Sequence, residues 1–437
     1  MKRIVLFDVK RLLARFDAGT PTGIDRVDLA YLDHFLQDPQ CLVLGISLRG
    51  DKMKTYRPAM MRWIRDVLTA RWSGGQGVTR AERVRLRAYK IANRAHGAVS
   101  WLLSMGDRRQ TPGHLVRVAQ RHPEALVLYV NCSHGGAGRR GQALLEALKQ
   151  DVRAKHIYYV HDTIPIDFPQ FSLDGHPERH VERMKMTARN ADMILTNSQY
   201  SGDSFVAFAT AQGFSVPKPV VLWIGVEPAF LKAASAARPR DDGGLPYFVV
   251  IGTIEPRKNH LLLLETWKRL IADGGPVPQL RIIGRRGWTT AENARYDDEV
   301  KRLAPHVVET GPLSDSEMIA NLLGARALLF PSFTEGWGMP LVEALAAGIP
   351  AIVSDIPAFA EATQGLTPRL DPRDPEAWAA MVRRYADAGD PTRAAAVAAL
   401  ADFVIPTWQK QFADFEAALD QTFGQAAPSG AAGDRLG

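Results

Sequence analysis

Two glutamates stand eight residues apart in "PSFTEGWGMPLVEALAAGIP", residues 331–350, on either side of a turn-like Gly-Trp-Gly-Met-Pro sequence. The preceding "ALLF" is typical of a buried strand, and Pro340 suits the first turn of a following helix. Glycines let a backbone approach a ligand closely, and a helix N-terminus attracts phosphate. The spacing predicts Glu335 beside a sugar and Glu343 beside ribose hydroxyls, with a diphosphate between them. The alternative is an ordinary strand–loop–helix with incidental acids.

Two further strands end in residues that suit the same ligand. "YFVVIGTIEPRKNH", residues 247–260, predicts a strand followed by Arg257 and Lys258, which could hold a diphosphate as a fork and as a point charge. Such pairs are also common on surfaces. His161 and Asp162 follow the strand-like "HIYYV", and we expect His161 to contact a reacting sugar. In the alternative, His161 is a hydrogen-bonded histidine and Asp162 caps a turn.

Length and composition describe the class of protein that would carry such a site. At 437 residues, with 46% hydrophobic and 23% charged residues, the chain predicts two globular domains. No apolar run reaches transmembrane length, and "MKRIVLFDVKR" is typical of a first strand rather than a signal peptide. Two cysteines without a metal or disulfide pattern indicate a reducing compartment, so we expect a cytoplasmic protein.

The net charge of +7 is concentrated in residues 52–94, which hold twelve Lys or Arg against two acids. Their apolar residues include Met60, Met61, Trp63 and Trp72, so the segment could lie on the anionic inner face of the cell membrane. The alternative is a helical pair that packs these residues inward. No recognition motif accompanies the charge, so we expect no nucleic-acid partner.

Short apolar strands alternate with amphipathic helices twice along the chain, which predicts an α/β fold with two Rossmann-like parallel-sheet domains facing a central cleft. We expect the following boundaries: a first domain at 1–232, a linker at 233–246, a second domain at 247–406, a closing helix at 407–424 that crosses back to the first domain, and a disordered tail at 425–437.

A literal GxGxxG sequence, Gly136–Gly141, follows the strand-like "ALVLYV" and raises a second hypothesis, an NAD-dependent enzyme. The loop begins six residues after Val130 instead of directly after the strand, and two arginines occupy its variable positions. The hypothesis also requires Asp162 to face a ribose. We therefore favour the diphosphate site, and no cofactor is expected.

Taken together, the motifs resemble those of a known family. "EGWGMPLVE" is similar to the E-x7-E motif of the retaining GT-B glycosyltransferases of family 4. "GTIEPRKNH", "HDTIPIDFP", "TNSQYSGD", "IIGRRGW" and "TGPLSDSEM" resemble blocks of its bacterial mannosyltransferase-like members in the same order, and "DAGTPTGIDRV" resembles its first strand–helix loop. The resemblance covers most of residues 2–423 and is weakest over residues 52–94.

The resemblance implies roles for individual residues. Arg257 and Lys258 would hold the donor diphosphate, and Glu343 the ribose. Glu335, with the amides near Gly338 and Met339, would hold the transferred sugar and its phosphate. His161 would be the cleft histidine that acts with Glu335 in catalysis, and Gly23 would lie near the phosphate. Thr253 stands where many members carry Arg, so Arg257 is expected to replace that contact.

The resemblance also implies a reaction. A GDP- or UDP-sugar, with mannose favoured, would donate its sugar with retention to a lipid-linked or oligosaccharide acceptor in surface polysaccharide assembly. No acid of the first half is placed as a nucleophile, which favours front-face attack. The sequence has no Asp-x-Asp pair, so no metal is expected. The alternative from another class is a saccharide-binding protein that keeps the two-domain shell without catalysis.

Overall fold

The computed structural model describes residues 2–50, 52–74, 79–88, 111–133, 141–236, 245–287 and 291–424. Within these ranges, a seven-stranded sheet and a six-stranded sheet each carry helices on both faces. We call the seven-stranded sheet with its helices the first lobe, and the six-stranded sheet with its helices the second lobe. The predicted α/β fold with two Rossmann-like parallel-sheet domains is confirmed.

The first sheet has the order β3-β2-β1-β4-β5-β6-β7. Its strands are β1 Arg3–Asp8, β2 Cys41–Arg49, β3 Lys52–Tyr56, β4 Leu126–Asn131, β5 Lys155–Val160, β6 Met193–Thr196 and β7 Val220–Val221. All neighbouring strands are parallel except β2 and β3. β2 lies on one side of β1 and β4 lies on the other, so the strand order reverses between β1 and β4. A crevice therefore opens beyond the carboxyl ends of these two strands.

The helices of the first half of the chain cover both faces of this sheet. They are Lys10–Ala14, Gly23–Gln37, Pro58–Gly74, residues 80–88, Gly113–Arg121, Gln142–Val152, Ile164–Asp167, His176–Asn190, Gln199–Ala211 and Pro228–Ala236. The last of these overlaps the start of the predicted linker, because its alanine-rich sequence is a good helix former. Residues 237–244 of that linker lie outside the described residues, as does the predicted tail at 425–437.

The basic segment follows the alternative for its apolar side chains and adds a strand that was not predicted. It starts with the antiparallel strand β3 instead of a helix, because "KMKTY" alternates polar and apolar residues and pairs with the edge of β2. In the helix Pro58–Gly74, the apolar side chains pack inward: Met60 and Met61 are fully buried and Trp63 and Trp72 are 7% exposed. This apolar face is therefore not available to a bilayer. Residues 75–78 and 89–94 of the segment lie outside the described residues, and membrane contact through its basic side chains stays a prediction. No helix in the described ranges combines the length and apolar character that a transmembrane span needs.

The second sheet has the order β10-β9-β8-β11-β12-β13 and is parallel throughout. Its strands are β8 Tyr247–Ile251, β9 Gln279–Ile283, β10 Val307–Gly311, β11 Leu328–Phe330, β12 Ala351–Ser354 and β13 Arg369–Leu370. Its helices are His260–Ala272, Ala291–Arg302, Asp315–Leu323, Met339–Ala346, Pro357–Ala362, Pro375–Ala386 and Pro391–Ala399. Here the order reverses between β8 and β11, which puts the crevice of this lobe beyond those two strands.

The last helix, Trp408–Phe423, leaves the second lobe and lies on the first. Phe415 is fully buried there against Tyr31 and Phe35, with ring centroids 5.2 and 5.8 Å away. At the start of this helix, the backbone of Trp408 passes so close to Gly225 that any side chain on Gly225 would overlap it. Gly225 also donates its N–H to Gln411, 3.1 Å away. The crossing therefore depends on a glycine at position 225.

We expect Gly225→Ala to destabilise the protein by about 2 kcal/mol or more, since the added methyl meets backbone that cannot move aside without shifting the last helix. Urea unfolding of the variant and the parent measures this. Gly19→Ala is the matched control because nothing lies within 4 Å of the position that its methyl would take. Equal stability of the two variants would contradict the close crossing.

Candidate active site

The predicted site residues of the second lobe lie on the two connections that leave β8 and β11. Arg257 and Lys258 belong to the short helix Pro256–Lys258 after β8. Glu335 follows β11 by five residues. Because these strands are neighbours at the point where the strand order reverses, their carboxyl ends bring the three side chains together. These three residues, which are predicted to act on one ligand, form one cluster.

Glu335 binds both cations of this cluster. Its Oε2 lies 2.8 Å from Arg257 Nη1, and its Oε1 accepts a short hydrogen bond from Lys258 Nζ. Ser332 also donates its hydroxyl to Oε1 at 2.8 Å. Arg257 donates further to Glu255 at 2.7 Å and to the Thr334 carbonyl at 2.8 Å. That Arg257 replaces the cation missing at Thr253 stays a prediction.

Burial and charge act against each other in the cluster. Burial raises the pKa of Glu335, but Arg257 and Lys258 outweigh it and lower the pKa to about 2, so the group is a carboxylate. Burial lowers the pKa of Lys258, and the charge of Glu335 offsets part of that effect. An anion that entered here would meet two partly buried cations whose charge is balanced by carboxylates.

The loop after Glu335 leads into the helix Met339–Ala346. Gly338 precedes this helix with a φ of 101°, a left-handed conformation that favours glycine, and no side chain caps its amides. A side chain on Gly338 would also meet Phe330. Lys258 Nζ lies 4.8 Å from the centre of the same Phe330 ring. The uncapped helix N-terminus and the Lys258 ammonium therefore lie on the same side of this lobe, where both attract an anion.

The same loop contacts the first lobe through Gly336. Ser198 Oγ donates to the Gly336 carbonyl at 2.7 Å. A side chain on Gly336 would overlap the carbonyl oxygen of His161. Ser201 Oγ donates to that same His161 oxygen at 2.9 Å. The structure therefore has the two lobes in contact beside Glu335.

His161 is 3% exposed at the end of β5, in the first lobe. Its Nε2 lies 2.7 Å from the Cys132 carbonyl, and since a carbonyl only accepts, Nε2 carries the proton. The ring stacks on Tyr159 with centroids 4.6 Å apart. Burial lowers the pKa of His161 to about 4, even though the Cys132 hydrogen bond favours the charged form. The side chain is thus a neutral, fixed imidazole at neutral pH.

Gly23 begins the helix Gly23–Gln37 and lies against the second lobe. A Cβ at Gly23 would come within 2.8 Å of Met339 Sδ, so the two predicted phosphate-proximal residues face each other across the cleft. Thr22 caps the helix together with Asp25, whose buried carboxylate also pairs with Arg11 at 2.6 Å. Asp25 therefore holds the start of this helix and the side chain of Arg11 in place.

Glu343 lies inside the helix Met339–Ala346, where it is 6% exposed. The charged residues that act on it are Arg26 of the first lobe and the two acids Glu227 and Asp315. Burial raises the pKa of Glu343 to about 8; Arg26 opposes this, and the two acids add to it. Sequence reasoning did not assign Arg26, Glu227 or Asp315, since nothing in their local sequence connects them.

Residues 136–140 of the NAD fingerprint lie outside the described residues. Gly141 is described and precedes the helix Gln142–Val152. The Cβ of Asp162 lies beside Gly336 of the second lobe, so this residue is at the interlobe contact. The NAD hypothesis stays a prediction.

Comparisons with known proteins relate part of the chain to glycosyltransferases. Residues 233–397 match the family model "Glycosyl transferases group 1". The chain is 27% identical over 222 residues to the serotype-specific mannosyltransferase WbdA of Escherichia coli, which covers 47% of this chain and 27% of WbdA. It is 26% identical over 226 residues to the O-antigen chain mannosyltransferase RfbU of Salmonella typhimurium, covering 51% of this chain and 59% of RfbU. The matched part thus spans about a quarter of WbdA and three fifths of RfbU.

Solved structures with the same architecture cover most of the chain. The crystal structure of Anabaena Alr3699/HepE in complex with UDP and glucose matches with a TM-score of 0.59 and 14% identity, and covers 96% of this chain and 100% of that protein. The sucrose-phosphate synthase of Thermosynechococcus elongatus matches with a TM-score of 0.51 and 16% identity, covering 70% of this chain and 76% of that one. At these identities the likeness shows the fold, which is GT-B.

We expect Glu343 to make stability depend on pH. Its pKa is raised in the folded state, so its contribution is complete below the ordinary glutamate pKa and is lost as pH rises towards 8. Relative to Glu343→Gln, the parent should lose on the order of 3 kcal/mol of unfolding free energy between pH 5 and pH 9. Urea unfolding at several pH values measures this. Glu178→Gln, at an exposed position, is the control and should run parallel to the parent. If the unfolding free energy of Glu343→Gln also ran parallel to that of the parent, the raised pKa of Glu343 would be contradicted.

Proposed function

We propose that the protein is a retaining glycosyltransferase that moves a sugar from a nucleoside diphosphate to a lipid-linked or saccharide acceptor in surface polysaccharide assembly. The observation that carries this is the cluster of Arg257, Lys258 and Glu335 beside an uncapped helix N-terminus, at the contact between two GT-B lobes. The match of residues 233–397 to the group 1 glycosyltransferase model supports it.

In this proposal the diphosphate lies against Arg257, Lys258 and the amides near Gly338 and Met339. When the bond between the sugar and the diphosphate breaks, negative charge grows on the leaving phosphate, and fixed cations with a helix terminus stabilise that charge. Glu343 accepts hydrogen bonds from the ribose hydroxyls, while Glu335 and the neutral His161 contact the transferred sugar. Gly23 closes the cleft over the phosphate.

Retention requires the acceptor to attack from the face that the diphosphate leaves, or a covalent intermediate on the protein. Glu335 is committed to Arg257 and Lys258, so it is poorly suited to act as a nucleophile. In front-face attack, the acceptor hydroxyl lies on the same side of the sugar as the leaving phosphate. The leaving phosphate can then accept the proton of that hydroxyl. We therefore favour front-face attack.

Mannose is the favoured sugar and GDP the favoured nucleotide, with a UDP-sugar as the alternative. The relatives WbdA and RfbU are both mannosyltransferases by name, and RfbU acts on the O-antigen chain. Alr3699/HepE, by contrast, was crystallised with UDP and glucose. A cytoplasmic enzyme that meets its acceptor at the inner face of the membrane fits the O-antigen relatives.

A group of basic residues on the first lobe supports an acceptor that carries phosphate. Arg179 and Arg183 lie four residues apart on one face of the helix His176–Asn190. Burial lowers the pKa of Arg183, and the positive charges of Arg179 and Arg11 lower it further. Arg11 also acts on His161, so this positive region adjoins the expected place of the reacting sugar. An anionic group there would relieve the repulsion.

A cavity of about 200 Å³ beside the site supports a saccharide acceptor. Its wall includes Phe171 of the first lobe and Phe333 of the second, whose rings stack with centroids 5.3 Å apart. Glu255, which binds Arg257, and the buried His260 supply polar groups. Mixed aromatic and polar walls are typical of ligand sites.

We expect GDP- or UDP-sugars to raise the melting temperature of the protein with concentration, since a ligand that binds the folded state stabilises it. Lys258→Ala should remove this stabilisation and most transferase activity, because it removes a cation from the diphosphate site. A panel of nucleotide sugars in a thermal shift assay measures the first effect, and nucleotide release measures the second.

Lys268→Ala is the matched control, because Lys268 lies on the helix His260–Ala272 of the same lobe and is 36% exposed. Near-normal turnover of Lys258→Ala would contradict the site. Donor binding without transfer or hydrolysis of the sugar would favour a saccharide-binding protein, and binding of NAD in place of sugar nucleotides would favour the NAD hypothesis.

We also expect transfer to proceed at an unchanged rate in excess EDTA. The proposed site neutralises the leaving diphosphate with side-chain cations and backbone amides, so it does not require a divalent ion for that purpose. Activity with and without EDTA, with added manganese as a further arm, measures this. Loss of activity that manganese restores would point to a metal-dependent transferase.

A further inference from the structure

Glu361 is a residue of the second lobe whose two carboxylate oxygens both bind the first lobe. It lies near the end of the short helix Pro357–Ala362. Its Oε2 accepts a hydrogen bond from the backbone N–H of Gln199 at 2.8 Å, and its Oε1 accepts one from the indole N–H of Trp223 at 2.7 Å. The two donors belong to separate elements, since Gln199 begins the helix Gln199–Ala211 and Trp223 follows β7. One carboxylate thus joins two elements of the first lobe to the second lobe.

The start of the helix Gln199–Ala211 is a favourable place for a carboxylate. The first N–H groups of a helix have no partner within the helix, and the positive end of the helix dipole attracts an anion. The side chain of Ser198 accepts from the N–H of Ser201, so it satisfies one of these groups. Glu361 satisfies the N–H of Gln199 from the other lobe. Separation of the lobes would therefore leave this amide without its carboxylate.

The same helix start binds both sides of the candidate active site. Ser201 Oγ donates to the carbonyl of His161 at 2.9 Å, and Ser198 Oγ donates to the carbonyl of Gly336 at 2.7 Å. Gly336 directly follows Glu335 in the chain. The position of this helix start therefore sets where His161 lies relative to Glu335.

The second donor, Trp223, contacts the loop that follows β11. The centroid of its ring lies 5.7 Å from that of Trp337. Trp337 is 3% exposed, and its indole N–H has no hydrogen-bond partner among the described residues. Glycines flank Trp337 on both sides, so the position of its ring depends on packing. By fixing the indole of Trp223, Glu361 also fixes the surface on which Trp337 packs.

We infer that Glu361 is a positioning residue for sugar transfer, which keeps His161 of the first lobe aligned with Glu335 of the second. This inference rests on the proposed function, in which both of those residues contact the transferred sugar. The cations and amides proposed to hold the diphosphate, by contrast, all belong to the second lobe. Loss of Glu361 should therefore slow transfer from bound donor more than it weakens the binding of a nucleotide.

Turnover and nucleotide binding together test this difference. Turnover is measured as nucleotide release from the sugar nucleotide that most stabilises the parent. Glu361→Ala removes two hydrogen bonds to a charged group, so it should lower kcat about tenfold or more, while the Kd for UDP and GDP changes by less than about threefold. Glu361→Gln keeps the shape and one oxygen acceptor, so it should recover part of the lost rate. Glu376→Ala removes an exposed acid of the same lobe and should match the parent.

A double-mutant cycle tests whether Glu361 acts through Trp223. Trp223→Phe keeps an aromatic ring and removes the N–H that binds Glu361, so it should lower kcat about threefold. The double variant should lose less than the product of the two single losses, because both changes break one hydrogen bond. If Glu361→Ala does not fold, Glu361→Gln supplies the same cycle. An unchanged kcat, single losses that multiply, or an equal loss of nucleotide affinity would overturn the inference.

Amide hydrogen exchange tests the contact without any ligand. Glu361→Ala should raise the exchange rate of the Gln199 amide and of residues 336–338 about tenfold or more, since it removes their hold on the other lobe. Mass spectrometry of peptides that include these residues measures this, with Glu376→Ala as the control. Unchanged exchange would overturn the inference. Failure of the parent to bind or turn over any sugar nucleotide would overturn the proposed function and the role in transfer, while faster exchange would still show that Glu361 holds the two lobes together.

Discussion

The architecture of the site depends on compensating two cations that are removed from water. Arg257 and Lys258 are packed against Phe330 and the β11 connection, where a lone positive charge would be costly, and Glu335 supplies the counter-charge. The strand order makes this possible, because β8 and β11 are neighbours and end at the same edge. Under the proposed function, a diphosphate would share these cations with Glu335, so the ligand enters a site already shaped by an internal anion.

Three contacts between the lobes involve the loop at Gly336, the helix Met339–Ala346 and the helix Asp315–Leu323. Gly336 meets the His161 carbonyl, Met339 meets Gly23, and Asp315 meets Arg26. At Gly336 there is no room for a side chain, so the first lobe approaches the backbone of the loop directly there, while Gly23 approaches the side chain of Met339. Residues of the first lobe thus border the part of the second lobe that is proposed to hold the nucleotide. A change in lobe separation would alter the site at each of these points.

The sequence predicted the parallel sheets well because each strand is a short apolar run between turn signals, and the residues after β8, β11 and β5 could be placed at sheet edges by topology alone. It did not predict β3, whose basic alternating residues resemble a helical surface until the edge of β2 is known to be open. It also could not relate Arg26 to Asp315, since 289 positions separate them. Proximity of that kind follows from how the lobes pack, which local patterns do not encode.

The docking of the last helix beside the first strand would allow the chain to be circularly permuted. Arg3, at the start of β1, lies 2.6 Å from Glu416 on Trp408–Phe423, so the first strand and this helix are neighbours in space. A short peptide could join them without crossing the cleft, and new ends could be opened at an exposed turn such as that around Gly274. A circularly permuted chain would then keep both crevices intact while covalently closing the first lobe.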